Sequence, residues 1–290
     1  SRHLCIHVLS ISDSPAKKWL NISAGGQFVM ARLDAELVRL GIARSRERAK
    51  EMIASGSITV NGRAAKKASA DVSENDTIES SEQEQYVGRG ALKLEKAVHE
   101  FGLDLTGKTC LDIGASTGGF TEYMLKSGAQ KVFAVDVGHG QLAPSLCADS
   151  RVVNMEGTDI RNVTAQELGG TVGFISVDVS FISLKMVLPK MYELLNEGGA
   201  AAVLIKPQFE AGRSDIGKRG IVKDRRVHER VLAEINSFAA ELGFIPMKYT
   251  FSPIKGGSGN IEYLCELCKT AGKPPQHNFR ELVESSFRSL

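Results

Sequence analysis

Residues 111–121 read Leu111-Asp112-Ile113-Gly114-Ala115-Ser116-Thr117-Gly118-Gly119-Phe120-Thr121, and this stretch decides the fold of the 290-residue chain. An apolar run that meets closely spaced glycines and then a helical pattern predicts a strand, a tight turn and a helix. Glycine lets the backbone turn sharply and approach a ligand that a Cβ would block. The spacing of the glycines differs from the G-x-G-x-x-G of dinucleotide-binding proteins. The stretch therefore predicts a ligand-binding turn in an α/β domain.

Around this stretch, residues 86–268 alternate apolar strand patterns with helical patterns, which predicts a mostly parallel sheet covered on both faces. Seven strands are predicted, at residues 109–114, 131–137, 152–156, 173–178, 200–206, 244–251 and 261–268. Only a turn-rich loop separates the last two strands, so we expect them to pair antiparallel. Residues 271–290 begin near Pro274-Pro275 and end in a short helical pattern, from which we expect a loosely attached C-terminal tail.

A smaller α/β domain is predicted before this sheet, at residues 30–80. Helical patterns at residues 32–40 and 44–53, the second opened by Ser45, precede a strand at residues 58–60. Asn61-Gly62 follows this strand and is a strong hairpin signal. Residues 81–87 are predicted to link this domain to a Rossmann-like domain at residues 88–270.

Charge is distributed unevenly along the chain, although the formal net charge is only +2. Residues 32–67 contain nine Lys or Arg and four Asp or Glu, whereas residues 71–84 contain six acids and no base. A local basic face is what phosphate binding requires, and a solvated helix face is the alternative reading. Residues 208–230 form a second basic segment with glycines that predict mobility, either a substrate-backbone contact or a solvated loop.

Composition narrows the class of protein further. Five scattered cysteines argue against a disulfide framework and favour a reducing, cytoplasmic location. Cys265 and Cys268 form a lone C-x-x-C with no second pair at zinc spacing, so no metal site is predicted. No apolar run approaches the ~20 residues of a membrane helix. Residues 1–29 lack an initiator Met and any periodic pattern, and we interpret them as a vector-derived extension before a native start at Met30.

The smaller domain resembles a known RNA-binding module. Its run R-L-D-x-x-L…R-S-R-x-x-A-x-x-x-I-x-x-G-S-I-T-V-N-G, from Arg32 to Gly62, is similar to the module named after ribosomal small-subunit protein four. The resemblance implies a basic surface that binds structured RNA. The candidate RNA contacts are Arg32, Arg44, Arg46, Arg48, Lys50, Lys66 and Lys67, together with Arg89 in the following domain.

The glycine-rich stretch in turn resembles the first motif of S-adenosylmethionine methyltransferases, especially the FtsJ-like ribose methyltransferases. The implied cofactor contacts in this stretch are Asp112, Gly114, Ser116, Thr117, Gly118, Gly119 and Phe120. Asp136 ends the next predicted strand, where a carboxylate can accept both ribose hydroxyls of the cofactor. Asp159 follows the third strand at the place where these methyltransferases contact adenine.

Two charged residues end apolar strands, Asp178 and Lys206, at the edge of the sheet where ligands gather. Together with Lys93 and Glu262 they match the K-D-K-E set of FtsJ-like 2′-O-methyltransferases. The run R-G-x-x-K-L that contains Lys93, and the upstream RNA module, narrow the resemblance to the TlyA or hemolysin A family. Ala91 departs from the glycine expected there.

The resemblance implies S-adenosylmethionine-dependent methylation of cytidine 2′-hydroxyls in ribosomal RNA, with ribosomal subunits as partners. A ribose hydroxyl needs a base and an oriented attack, and we assign Lys206 as the base. Carboxylates near Lys206 stabilise its protonated form, whereas Lys93 and the cofactor's positive charge act in the opposite direction. The alternatives are a membrane-active cytolysin, for which no membrane segment is found, and an RNA-binding scaffold without activity.

Overall fold

The computed structural model describes residues 30–40, 42–43, 45–73, 75–81, 86–217 and 219–290, and the backbone of residues 17–19. The chain divides into two compact units, Ser1–Gln85 and Tyr86–Leu290. The extension predicted at residues 1–29 lies outside the described residues, except for a short strand at Lys17–Trp19. Arg44 also lies outside them.

The described residues of the smaller unit form two helices and six short strands. The helices are α1 (Leu33–Arg39) and α2 (Arg46–Ala54), and the strands are β1 (Lys17–Trp19), β2 (Ala31–Arg32), β3 (Ile58–Val60), β4 (Arg63–Ala64), β5 (Asp71–Val72) and β6 (Ile78–Ser80). One sheet has the order β1-β6-β3-β4, and β2 pairs with β5 in a second.

Local sequence signals explain the elements of this unit. Ser45 is the N-cap of α2, because its hydroxyl accepts a hydrogen bond from the Arg48 backbone N–H at 3.1 Å. Asn61 and Gly62 both adopt positive φ, 52° and 74°, as the tight turn between β3 and β4 requires. The predicted helices and hairpin are therefore confirmed.

The larger unit is built around one seven-stranded sheet. Its strands are β7 (Thr109–Ile113), β8 (Lys131–Asp136), β9 (Val152–Glu156), β10 (Val172–Val177), β11 (Leu195–Ile205), β12 (Ile245–Phe251) and β13 (Tyr263–Cys268). The order is β12-β13-β11-β10-β7-β8-β9. Strands β7 to β11 are parallel, while β13 runs antiparallel to both β11 and β12. The seven predicted strands and the antiparallel last pair are confirmed.

Helices cover both faces of this sheet. They are α3 (Ala91–Phe101), α4 (Gly119–Lys126), α5 (Pro144–Cys147), α6 (Leu188–Leu194), α7 (Pro207–Glu210), α8 (Arg225–Glu241) and α9 (Phe279–Ser289). One apolar cluster includes side chains of α3, α4 and α5, and a second includes those of α6, α8 and α9. Strand residues alternate between them: Cys110 belongs to the first cluster and Leu111 to the second.

The expectation of a loosely attached tail is wrong. Residues 279–289 form α9, whose Val283 is fully buried in the core cluster beneath α8. The Ser286 hydroxyl is also buried and lies 3.1 Å from the hydroxyl of Tyr263 on β13. Phe279, Leu282, Val283 and Phe287 recur at helical spacing, so one face of α9 is apolar and packs on the sheet.

The basic segment at residues 208–230 is also more ordered than its glycines indicate. Arg225, Arg226 and Arg230 belong to α8, and the preceding loop ends at the helix N-cap, Asp224. Asn260 is buried and holds this loop, because it donates to the Gly220 carbonyl at 2.8 Å and accepts from the Val222 N–H at 3.0 Å.

Candidate active site

The four charged residues singled out from the sequence come together at the carboxyl edge of the parallel strands. Asp178 directly follows β10, and Lys206 directly follows β11. Because β13 is antiparallel, with Tyr263 opposite Ile205, its first end lies at this same edge and carries Glu262 there. Lys93 reaches the edge from α3.

Ion pairs join the four side chains into a chain, here called the KDKE cluster (Lys93, Asp178, Lys206 and Glu262). The Lys93 Nζ lies 2.7 Å from a Glu262 oxygen and 3.6 Å from Asp178 Oδ2. The other Asp178 oxygen, Oδ1, lies 2.5 Å from the Lys206 Nζ. Asp178 is thus shared between the two lysine side chains.

The cations of this cluster are well shielded from solvent. The side chains of Lys93 and Lys206 are each 9% exposed, and that of Asp178 is 20% exposed. Burial lowers the pKa of Lys93, but the charges of Asp178 and Glu262 outweigh burial and leave the pKa above its usual value. Lys93 is therefore a permanent cation that fixes the two carboxylates.

Two neighbours of the cluster were not singled out from the sequence. The Lys206 Nζ donates a hydrogen bond to the Ser180 hydroxyl at 2.9 Å. The Gln208 Nε2 donates to the second oxygen of Glu262 at 3.2 Å, while the side-chain oxygen of Gln208, Oε1, is buried and has no hydrogen-bond partner among the described residues. Each lies two residues after a predicted site residue, so proximity in sequence was the available signal.

An exposed aromatic side chain stands beside the cluster. Phe181 is 91% exposed, which is unusual for a large apolar residue, and its backbone adopts a strained φ of 64°. Its ring packs against that of Phe209, with 5.0 Å between the centroids. The Lys206 Nζ lies 5.7 Å from the centroid of the Phe209 ring.

The glycine-rich turn packs directly against the strand end that carries Asp178. Gly114 has a φ of 83°, and a Cβ at this position would lie 2.6 Å from the Asp178 carbonyl oxygen. Glycine is required here for two independent reasons, the left-handed backbone and the close approach. The turn and the KDKE cluster are therefore held together at one edge.

Asp136, at the end of β8, faces the turn. Its Oδ2 accepts from the Ser116 N–H and its Oδ1 from the Gly138 N–H, both at 2.8 Å. A carboxylate has about four lone-pair sites, so about two remain for the hydroxyls of a ligand. Val137, the next residue, is a large apolar side chain left exposed. An acceptor for ribose beside an exposed apolar surface fits the chemistry of an adenosine group.

The structure separates the other candidate cofactor contacts into surface and interior. Ser116 and Thr117 are exposed on the turn, and Gly118 and Gly119 are buried beneath it. Phe120 belongs to the hydrophobic core, contrary to its assignment as a cofactor contact. Asp159 is bound by Arg161, which holds both carboxylate oxygens.

Asp112 also differs from its assignment as a cofactor contact, because its side chain is buried between the sheet and α4. It is fully buried and accepts hydrogen bonds from the Thr121 hydroxyl at 2.7 Å and the Ser176 hydroxyl at 2.9 Å. Burial raises the pKa of Asp112 to about 7. Asp112 supports α4 and the turn from below and does not contact the ligand side.

The candidate RNA contacts lie mainly on the surfaces of their own units. The exposed ones are Arg32, Arg46, Lys50, Lys66, Lys67 and Arg89. Arg48 is half-buried and pairs with Glu51 at 3.2 Å. Arg32 and Arg46 both bind the buried carboxylate of Asp34.

The strand order, the glycine-rich turn and the acid at the end of β8 define the larger unit as a Rossmann-like methyltransferase domain. Comparison with known proteins agrees: the FtsJ-like methyltransferase family matches residues 86–269, and the S4 domain matches residues 31–78. The chain belongs to the FtsJ-like methyltransferase family and has an S4 domain ahead of the catalytic domain. It is an S-adenosylmethionine-dependent methyltransferase.

Several known proteins are similar to this one over most of its chain. TlyA of Mycobacterium tuberculosis strain H37Rv, named a 16S/23S rRNA (cytidine-2′-O)-methyltransferase, is 43% identical over 235 residues, which is 80% of this chain and 88% of the relative. Hemolysin A of Brachyspira hyodysenteriae is 42% identical over 80% of this chain and 98% of its own. A solved structure of a Streptococcus thermophilus protein named as a hemolysin has a TM-score of 0.73 at 40% identity, covering 90% of this chain and 96% of that one.

None of the helices that the structure describes combines the length and the apolar character needed to cross a bilayer.

Proposed function

We propose that this protein transfers a methyl group from S-adenosylmethionine to the ribose 2′-hydroxyl of a cytidine in ribosomal RNA, with ribosomal subunits as its substrate. The KDKE cluster is the observation that carries the proposal. Its two shielded lysines and two carboxylates occupy the sheet edge beside the glycine-rich turn. The name of the Mycobacterium tuberculosis relative supports cytidine 2′-hydroxyls as the target.

The cofactor is held, in this proposal, by the turn and by Asp136. The free lone pairs of Asp136 accept the ribose hydroxyls, and the exposed residues Ser116 and Thr117 of the turn contact the cofactor beside it. Bound there, the cofactor supplies an electrophilic methyl group.

Lys206 is the group that takes the proton of the RNA hydroxyl at its Nζ. A neutral amine can act as a base, and the carboxylate that Lys206 contacts is shared with the permanently charged Lys93. Asp178 therefore orients the Lys206 Nζ, and its negative charge is divided between two lysines. Ser180 fixes the amine from a second direction, and Glu262, held by Lys93 and Gln208, bounds the other side of the site.

Phe181 supports a nucleic acid substrate at this site. An exposed aromatic ring offers a face on which a base stacks, and such stacking tolerates any sequence. The S4 domain supports the same substrate class, because its exposed Arg and Lys side chains can neutralise phosphates.

The direct test is to supply the purified protein with labelled S-adenosylmethionine and ribosomal subunits isolated from cells that lack it. Digestion and mass analysis of the nucleosides should find the label in 2′-O-methylcytidine, and Lys206→Ala should incorporate none. Label on a base atom, or equal incorporation by the variant, would contradict the proposal.

A further inference from the structure

In the S4 domain, one buried carboxylate binds two exposed arginines. Asp34 Oδ1 accepts from the Arg32 Nε, and Asp34 Oδ2 accepts from the Arg32 Nη2, both at 3.1 Å. The Arg46 Nη2 and Nε also donate to Asp34 Oδ2, at 2.9 and 3.3 Å. The Asp34 side chain is fully buried, whereas those of Arg32 and Arg46 are 48% and 51% exposed.

The backbone fixes all three residues of this group, here called the Arg32–Asp34–Arg46 triad. Arg32 is the last residue of β2, and its backbone lies opposite that of Asp71 in the antiparallel pairing of β2 with β5. The Asp34 N–H donates to the Ala68 carbonyl at 2.9 Å at the start of α1. Arg46 is the first residue of α2, directly after the N-cap Ser45. The two guanidinium groups therefore start from rigid positions in different elements.

The carboxylate is charged under all ordinary conditions. The hydrogen bond from Arg32 lowers the pKa of Asp34 most, and those from Arg46 add to the effect, so that the pKa lies well below its usual value. Each arginine turns its Nε–Nη2 edge towards Asp34. The Nη1 groups, each of which carries two N–H donors, are not used in these bonds and belong to partly exposed side chains.

We propose that Asp34 is a positioning residue that holds Arg32 and Arg46 as a two-pronged fork for an RNA phosphate. The proposal rests on the proposed function of the S4 domain as an RNA contact. Guanidinium groups match the geometry of phosphate oxygens, and a fork that is already ordered loses less freedom on binding than two free side chains do. The negative charge of Asp34 lowers the net positive charge of this surface by one unit, while its hydrogen bonds order the two arginines.

Replacing Asp34 tests the proposal, because the gain in net positive charge should strengthen RNA binding, whereas the loss of order in the two arginines should weaken it. Asp34→Asn adds one unit of positive charge to the domain but releases the two arginines. Asp71→Asn is the matched control: it adds the same charge next to Arg32 at an exposed position outside the triad. If the surface acted by charge alone, both variants would bind RNA more tightly.

We expect Asp71→Asn to bind transcribed 16S and 23S ribosomal RNA as well as or better than the unaltered chain. Asp34→Asn should bind more weakly by about tenfold or more, the effect of losing roughly one oriented charge-assisted hydrogen bond. Affinities of the full chain should be measured between about 50 and 200 mM salt, the range over which phosphate contacts are most salt-dependent. Under saturating RNA, the methylation rate of Asp34→Asn should be unchanged, while its KM for RNA rises.

Two further variants keep the test decisive. Arg46→Lys preserves every charge but loses the flat fork, so it should also weaken binding; it replaces Asp34→Asn if thermal melting shows that the latter does not fold. Arg46→Glu tests the surface itself: unaltered affinity would mean that the S4 domain does not contact RNA here. A gain in affinity for Asp34→Asn equal to that of Asp71→Asn, or full affinity for Arg46→Lys, would overturn the positioning role of Asp34.

Discussion

The KDKE cluster and the Arg32–Asp34–Arg46 triad share one device, a carboxylate that binds two cations, but they use it in opposite orientations. In the KDKE cluster the lysines are buried, and the Asp178 side chain is more exposed than either lysine. In the triad the carboxylate is buried and the arginines face solvent. The first arrangement withdraws cations from water, and the second presents them to it.

The choice of cation follows from this difference. Lysine can lose its proton when its surroundings are adjusted, whereas arginine keeps its charge at any ordinary pH. A shielded lysine therefore suits proton transfer, and an exposed arginine suits phosphate binding. Each prediction below tests whether the two arrangements differ in this way.

The largest effect is expected from exchanging the cation in the KDKE cluster. Lys206→Arg retains the charge beside Asp178 but cannot act as a base, so methyl transfer should fall by about 10²- to 10⁴-fold, the usual contribution of a general base. Single-turnover methylation of ribosomal subunits with saturating cofactor and RNA is the measurement, with Lys206→Ala as the comparison. Binding of both ligands should stay close to that of the unaltered protein.

A rate for Lys206→Arg close to that of the unaltered protein would break the comparison. Lys206 would then serve only as a positive charge, like the arginines of the triad, and Asp178 would be the next candidate base.

A smaller effect is expected at Asp136, a carboxylate that accepts hydrogen bonds from backbone N–H groups. Its partners are the N–H groups of Ser116 and Gly138, and the proposed ligand hydroxyls use its remaining lone pairs. Asp136→Ala should weaken S-adenosylmethionine binding about tenfold or more in a calorimetric titration, because charged hydrogen bonds contribute roughly 1.5–3 kcal/mol. Asp136→Asn keeps one acceptor oxygen and should lose less; equal, unaltered affinities for both variants would remove Asp136 from the cofactor site.

The smallest effect concerns Asp112, a buried carboxylate that accepts hydrogen bonds from two hydroxyl groups. Burial raises its pKa to about 7, so between about pH 4 and pH 7 the folded protein binds more protons than the unfolded chain. Stability is then highest at the acid end of this window and falls as the pH rises. Asp112→Asn should remove this dependence and gain a few degrees in melting temperature, relative to the unaltered protein, between pH 5 and pH 8.

The control for this experiment is Glu241→Gln, which neutralises an exposed carboxylate near the end of α8. It should leave the pH dependence of melting unchanged. Parallel curves for Asp112→Asn and the unaltered protein would show that Asp112 is not a source of pH-dependent stability.

The sequence predicted the sheet and the positions of Asp178 and Lys206 from strand ends, whereas Lys93 and Glu262 entered through the resemblance to the K-D-K-E set. Apolar runs mark the parallel strands, and a charged residue directly after such a run lies at the carboxyl edge whatever the loops do. Asp178 and Lys206 are of this kind, and the antiparallel pairing of β13 carries Glu262 to the same place.

The errors arose where the direction of a side chain decides its role. Asp112 and Phe120 lie within the glycine-rich motif, but the Asp112 carboxylate is buried against Thr121 of α4, and Phe120 belongs to the hydrophobic core. Ser180 and Gln208 have no pattern of their own, because their contacts depend on how the chain turns after each strand. The packing of α9 could have been predicted from its apolar spacing, had the two prolines before it not been read as the start of a free tail.

The position of β13 has a consequence for protein synthesis. This strand lies between β11 and β12, and Glu262 directly precedes its first residue, Tyr263. A nascent chain that has emerged only as far as β12 lacks both the strand that joins β11 to β12 and the carboxylate that binds Lys93. The protein therefore cannot assemble its active site on the ribosome that makes it until nearly the whole catalytic domain has left the exit tunnel.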